Sequence, residues 1–359
     1  MIKNALLNHL IKTELNRQGS KILQETIKTR TEEVTAEIHR KGNEDNMQLL
    51  KIDKENYVGQ ADPFILKHND KYYIYTTGDD GLYAHSCDSL LGDWKFEGRI
   101  FTIEGKDHFW APSAIYHEGK FYIYFSFEYY DVEPDQGGHH QAMHVIESEN
   151  PLGPFSEAKN ILMPFSIDSH IVKTEEGLFL FYSPNTFEGE RIGTYIVVQK
   201  MADPYTPVGE PVPVVKASID EEIFCRNRYK EGQHWHTIEG GYWFQEGEWQ
   251  YLMYSGGRYE DETYFVGYAA AKTTEQDLTK VKFQKMPDDK TYAPLLRSNE
   301  WEEGTGHNSV IKEDGQYYIV YHARNTEADG LNGDRRNARI AKMHVEDGKI
   351  RVERYPDHI

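Results

Sequence analysis

Asp62, Asp168, Glu239 and His307 each open a copy of one repeated segment, which puts three carboxyl groups and an imidazole in register. The copies are DPFILKHNDKYYIY (62–75), APSAIYHEGKFYIY (111–124), DSHIVKTEEGLFLF (168–181), EGGYWFQEGEWQYL (239–252) and HNSVIKEDGQYYIV (307–320). In each, the first residue lies ten positions ahead of an aromatic-rich second half: Asp62 before Tyr72, Ala111 before Phe121, Asp168 before Leu178, Glu239 before Trp249, His307 before Tyr317. Carboxylates gathered in a desolvated pocket repel, and at least one pKa must rise. Such a cluster costs stability unless chemistry uses it. A protonated carboxyl beside an ionised one is the equipment of glycosidic hydrolysis: one protonates the leaving oxygen, the other activates water or attacks directly.

Positioning these groups requires elements that bring equivalent residues to one place. Each copy reads as a strand, a polar turn and a second strand rich in aromatic and β-branched residues. Third-strand signals follow in most copies, as in LYAHSCDSLLGDW, HVIESENPLGPF, VGYAAAKTTEQDL and ARIAKMHVEDGKI. The copies start 49, 57, 71 and 68 residues apart. That spacing, at about four strands per repeat, predicts an all-β fold, a five-bladed β-propeller. Its innermost strands would line a central channel and set Asp62, Ala111, Asp168, Glu239 and His307 in a ring. A two-sheet sandwich predicts no such register.

Residues 1–48 read differently. Leu6, Leu7, Leu10, Ile11, Leu15, Ile22, Leu23 and Ile27 recur at helical spacing among charged and amide residues, with GNEDNM (42–47) as a linker. This predicts a helical N-terminal extension, residues 1–48, ahead of a propeller domain over 49–359. The amphipathic stripe must be buried, against the propeller or in a homo-oligomer formed through these helices. The net charge of −19 argues against nucleic acid, whose phosphates need Lys and Arg, and against an anionic membrane surface. Cys87 and Cys225 have neither CxxC nor zinc spacing and read as reduced thiols. The N-terminus lacks the long apolar core of a signal peptide, and no run approaches the ~20 apolar residues that span a bilayer. A cytoplasmic protein is the resulting expectation.

At the repeated acids the chain resembles glycoside hydrolase family 43, over about residues 57–350. The resemblance rests on ADPF at Asp62, IDSH at Asp168 and IEGG at Glu239. It implies that Asp62 is the general base, Glu239 the general acid, and Asp168 the residue that orients the acid and tunes its pKa. Trp110 in Trp110-Ala111-Pro112 matches a family motif that walls the sugar pocket. The segment GHNSVI matches a fifth-blade motif, which implies that His307 approaches substrate, or a calcium ion at the axis through water. Calcium prefers oxygen ligands, so the histidine leaves the metal open, and no cofactor is otherwise required. GDRRNARIA offers Arg335, Arg336 and Arg339 for a sugar-binding arginine, and Arg336 fits the family pattern best.

The family inverts configuration, which implies single displacement. The expected substrates are plant-derived oligosaccharides, with exo-acting release of pentose as an α-L-arabinofuranosidase, a β-xylosidase or both. Two alternatives stand beside this. A fructoside-cleaving relative would carry Asn-Asp-Pro and Arg-Asp-Pro, whereas this chain has Ala-Asp-Pro and lacks the second. A non-catalytic sugar-binding propeller would repeat near-identical sites, whereas these ring positions have diverged. Segments 130–144 and 217–237 read as long loops, with His139, His140, Trp235 and His236 as exposed loop residues.

Overall fold

The computed structural model describes residues 48–51, 58–128, 140–326 and 335–354. The expected helical extension, and the homo-oligomer built on it, lie outside the described residues apart from Gln48.

Five four-stranded antiparallel sheets follow one another. Blade 1 comprises Phe64–His68, Lys71–Thr76, Leu82–Cys87 and Lys95–Phe101; blade 2, Trp110–His117, Lys120–Glu128, Gln141–Ser148 and Lys159–Leu162. Blade 3 comprises Ile167–Thr174, Gly177–Ser183, Ile196–Asp203 and Thr206–Val215; blade 4, Ile238–Glu246, Trp249–Gly256, Phe265–Lys272 and Gln284–Lys285. Blade 5 comprises Glu302–Glu313, Gln316–Asn325, Asn337–Glu346 and Lys349–Glu353. The first strand of each blade touches the first strand of the next, and that of blade 5 touches that of blade 1, so the ring closes. This is the expected propeller.

The hairpins form for a local reason. In Asn69–Asp70, Glu118–Gly119 and Asp314–Gly315 both turn residues have positive φ, the tight turn whose twist matches that of the paired strands. Strand faces then bury between blades. Five apolar clusters occupy the five interfaces, for example Phe64, Tyr75 and Phe125 between blades 1 and 2, and Phe181, Val198 and Leu252 between blades 3 and 4. Leu49 and Leu50 pack into the cluster between blades 5 and 1.

A sixth, smaller sheet stands apart, built from Asn185–Thr186, Ile192–Thr194, Trp235–His236 and Ile223–Cys225 in that order. Its strands are two or three residues long, too short to show a period in the sequence, and this is why 217–237 read as a loop. Trp235 and His236 are consequently buried rather than exposed. His139 lies outside the described residues. Beside this sheet, Glu222 accepts the amides of Ser218 and Ile219 and forms a buried ion pair with Lys285 on the outer strand of blade 4.

The inner strands share a second feature. Asp62, Ala111, Asp168 and His307 all adopt positive φ, between 46° and 59°. Left-handed backbone at a non-glycine residue costs about 1–2 kcal/mol. In blades 2 to 5 the strand pairing also shifts register at this place, a bulge that re-aims side chains. Blade 4 corrects the sequence register. Each ring residue lies six positions before the residue that closes its hairpin: Asp62 before His68, Ala111 before His117, Asp168 before Thr174, His307 before Glu313. In blade 4 the closing residue is Glu246, and six positions earlier is Gly240, with φ 60°. Glu239 therefore stands one place before the ring, in the register of Trp110, Ile167 and Gly306.

Candidate active site

Asp62 is buried where blade 1 meets the axis and has four polar neighbours. The Thr77 hydroxyl donates to its Oδ2. His307 Nδ1 lies 3.4 Å from Oδ1, His322 Nδ1 3.3 Å and Arg336 Nη1 3.4 Å. The Asp62 amide donates to His322 Nδ1 at 3.1 Å, which makes that nitrogen an acceptor. Burial pushes both histidines below their ordinary range, His322 to about 4. The standing cation beside Asp62 at neutral pH is therefore Arg336. Burial works to raise the Asp62 pKa, but His307, Arg336 and His322 outweigh it and hold the carboxyl far below the ordinary carboxylate range.

Glu239 differs. Burial, with the Asp62 charge adding to it, pushes its pKa up to about 7, against the lowering effect of Tyr264 and Arg336. The Tyr264 hydroxyl donates to Glu239 Oε1 at 2.8 Å. Tyr264 has room because residue 306 is glycine: a Cβ there would lie 1.8 Å from the ring. The ring also stacks on His322, centroids 5.8 Å apart and planes 7° apart. Asp168 is raised well above its ordinary value by burial first, then by the Glu239 and Asp62 charges. Its Oδ2 accepts the Gly240 amide at 3.0 Å, so it fixes the backbone next to Glu239. The cluster thus holds one ionised carboxyl and two that favour their protons.

The remaining expected residues divide between two spaces. Trp110 and Glu239 line a cavity of about 270 Å³, together with Phe165, Phe224, Trp235 and Tyr259. The small sheet supplies one wall, through Asn185, Thr194, Phe224 and Trp235. Asp62 and His307 instead line a constriction on the axis of about 10 Å³, room for about one water. Arg336 connects the two spaces, because its guanidinium lies 4.8 Å from the Tyr259 ring centroid and also reaches Asp62. Arg339 does not join the site; it is buried against Glu302, 3.3 Å away. Of the expected loop residues, Trp235 lines the cavity, whereas His236 sits behind it, 2.9 Å from Arg191 Nη1.

Calcium takes six to eight oxygen ligands. The groups facing Asp62 Oδ1 are two ring nitrogens and a guanidinium, which supply no direct oxygen ligand to that ion. Among the described residues no group of three or more His, Cys, Asp or Glu is arranged to hold a metal.

Sequence reasoning missed Thr77, Tyr264 and His322. They sit on or immediately beside second and third strands, with no motif of their own, and their reach depends on how blades pack. Replacing Tyr264 with Phe is expected to raise the Glu239 pKa further, because the carboxylate loses the hydrogen-bond donor that favours its charged form. With Glu239 as the proposed proton donor, which must be protonated to act, the alkaline limb of kcat/KM would move to higher pH. A drop in kcat with an unmoved limb would mean that Tyr264 is only a packing residue.

The chain is thus a five-bladed propeller with an ionised carboxyl at its axis and a proton-holding one in the adjoining cavity. Residues 58–350 match glycosyl hydrolases family 43, and the chain belongs to that family. It is 29% identical over 307 residues to an extracellular exo-α-(1→5)-L-arabinofuranosidase of Streptomyces avermitilis, covering 79% of this chain and 59% of that protein. It is 25% identical to an extracellular exo-α-(1→5)-L-arabinofuranosidase of Cellvibrio japonicus, covering 74% of this chain and 79% of that one. Among solved structures, a thermostable family-43 glycoside hydrolase superposes with a TM-score of 0.67 at 29% identity, over 84% of this chain and 96% of that one. The chain thus spans about three-fifths of the Streptomyces relative. The expectation of a cytoplasmic protein is overturned: both arabinofuranosidase relatives are named as extracellular. The expectation had rested on the missing apolar core at the N-terminus, which is no positive sign of retention. Among the described residues no helix is long and apolar enough to cross a membrane.

Proposed function

We propose that the protein is an inverting, exo-acting glycoside hydrolase that releases L-arabinofuranose from α-linked oligosaccharides. The observation that carries this reading is the opposed setting of two buried carboxyls: Asp62 faces Arg336 at 3.4 Å and is held ionised, whereas Glu239 meets the Tyr264 hydroxyl at 2.8 Å beside the cavity and is pushed up to about 7. Both relatives are named exo-α-(1→5)-L-arabinofuranosidases, which supports arabinose as the sugar released.

In this mechanism Asp62 takes a proton from water as the water oxygen bonds to the anomeric carbon. The bond from that carbon to the leaving oxygen breaks, and Glu239 gives its proton to that oxygen. Solvent returns the proton from Asp62 to Glu239 after release. Asp168 steadies Glu239 through the Gly240 amide and Arg336 keeps Asp62 charged. Trp110 and Trp235 offer apolar faces to the sugar ring, and the wall formed by the small sheet suits removal of a terminal residue.

The test is proton NMR of the first product formed from p-nitrophenyl α-L-arabinofuranoside, with the β-D-xyloside alongside. Initial appearance of β-arabinofuranose is expected. Initial α product would exclude inversion, and turnover of the xyloside alone would reassign the sugar.

A further inference from the structure

A second depression, of about 810 Å³, opens beside the catalytic cavity. The two share Phe224. On one side the Phe224 ring stacks on Tyr259, which lines the catalytic cavity, at 6.2 Å between centroids. On the other it carries the Arg258 guanidinium at 5.5 Å, and Arg258 lines the second depression. Phe224 is thus a ridge with a cavity on each flank.

The depression lies between segment 220–226, which includes the outer strand of the small sheet, and blade 4, which carries Glu239. Arg258, Asp261 and Thr263 belong to the connection between the second and third strands of blade 4, and Tyr292 packs edge-on against Phe265 of that blade, 5.0 Å between centroids. Asp62 belongs to blade 1. In single displacement the water enters on the side of the base and the leaving portion departs on the side of the acid. Glu239 lines the cavity that shares Phe224 with this groove, so a chain leaving over Glu239 would meet the groove next.

The lining suits such an occupant. Arginines and carboxylates share it, Arg226 and Arg297 with Glu221 and Glu262. Sugar hydroxyls both donate and accept, so both kinds of group find partners, whereas an anion would meet the carboxylates. The Tyr292 ring adds an apolar face. Arg226 and Arg297 are exposed, and among the described residues their side chains make no ion pair.

We infer that this groove binds the leaving-side sugars of a neutral oligosaccharide, so that the preferred substrate extends at least two sugars beyond the bond cleaved. The inference rests on the glycosidase reading and adds to it the length of the substrate. The experiment compares kcat/KM across linear α-1,5-arabino-oligosaccharides from the disaccharide to the pentasaccharide. It uses the full chain, as the parent and as the double variant Arg226→Ala/Arg297→Ala. In the parent, kcat/KM should rise about tenfold from disaccharide to tetrasaccharide, the factor that 1.4 kcal/mol of added binding gives. The double variant should lose that rise through KM while matching the parent on p-nitrophenyl α-L-arabinofuranoside, which is too short to fill the groove. A flat parent profile, or a rise that survives in the double variant, overturns the inference. Calorimetry of arabinotetraose on Glu239→Gln separates the two failures. Binding that the arginine changes weaken, with no turnover by the parent, would sink the hydrolase reading and keep the groove. Turnover with no dependence on length would do the reverse.

Discussion

Asp62→Asn should abolish nearly all turnover, lowering kcat by about 10²–10⁴-fold, the range for loss of a general base. The substitution is close to isosteric. Thr77 and Arg336 still face the side chain, the backbone keeps its contact with His322, and far-ultraviolet circular dichroism should be unchanged. KM should change little, because Asp62 lines the axial constriction rather than the cavity around Trp110 and Glu239. Since Arg336 and the two histidines hold the Asp62 carboxyl far below the ordinary range, the parent should keep its base ionised well into acid. The acid limb of its kcat/KM profile should therefore lie below that of an ordinary carboxylate. A kcat within tenfold of the parent would remove Asp62 from the reaction.

Glu239→Gln should divide substrates by leaving group. Arabinobiose, whose departing alkoxide needs a proton, should lose about 10²–10⁴-fold in kcat/KM. A p-nitrophenyl glycoside, whose phenolate leaves unassisted, should lose far less. The pH profile provides a second reading. Glu239 has its pKa raised to about 7, so the parent loses its proton donor as pH rises through 7, and activity falls on that side. In the Gln variant that alkaline limb should be absent with the aryl substrate. Equal losses on both substrates, with the limb retained, would assign the acid elsewhere, and Asp168 would be the first residue to test.

Much of this site was legible because hairpin turns keep their length while outer loops vary. The polar turns at Asn69–Asp70, Glu118–Gly119 and Asp314–Gly315 anchored the alignment, and the axial approach of Asp62, Asp168 and His307 followed from it. Glu239 was found for a partly mistaken reason. The gapless alignment gave it the ring position, whereas hydrogen-bond pairing gives that place to Gly240 and turns Glu239 toward the cavity shared with Trp110. The turn of blade 4 hid the offset: Glu246-Gly247 reads like the Glu118-Gly119 turn of blade 2, whereas the hairpin closes at Glu246 and Trp249 and turns on Gly247-Glu248. Tyr264 was illegible because its contact with Glu239 depends on a vacancy at Gly306, 42 residues further along the chain. The small sheet escaped notice because elements of two or three residues have no periodicity.

The left-handed residue of blade 2 has a consequence of its own. Ala111 presents only a methyl group, yet it adopts φ 48°, and that turn aims its amide at Thr77 Oγ1, 2.8 Å away. The Thr77 hydroxyl is the one that grips Asp62. Conformational tension in one blade is thereby converted into alignment of a reactive group in the neighbouring blade. Relaxing that one backbone angle would turn the Ala111 amide away from Thr77 and loosen the hydroxyl that holds Asp62.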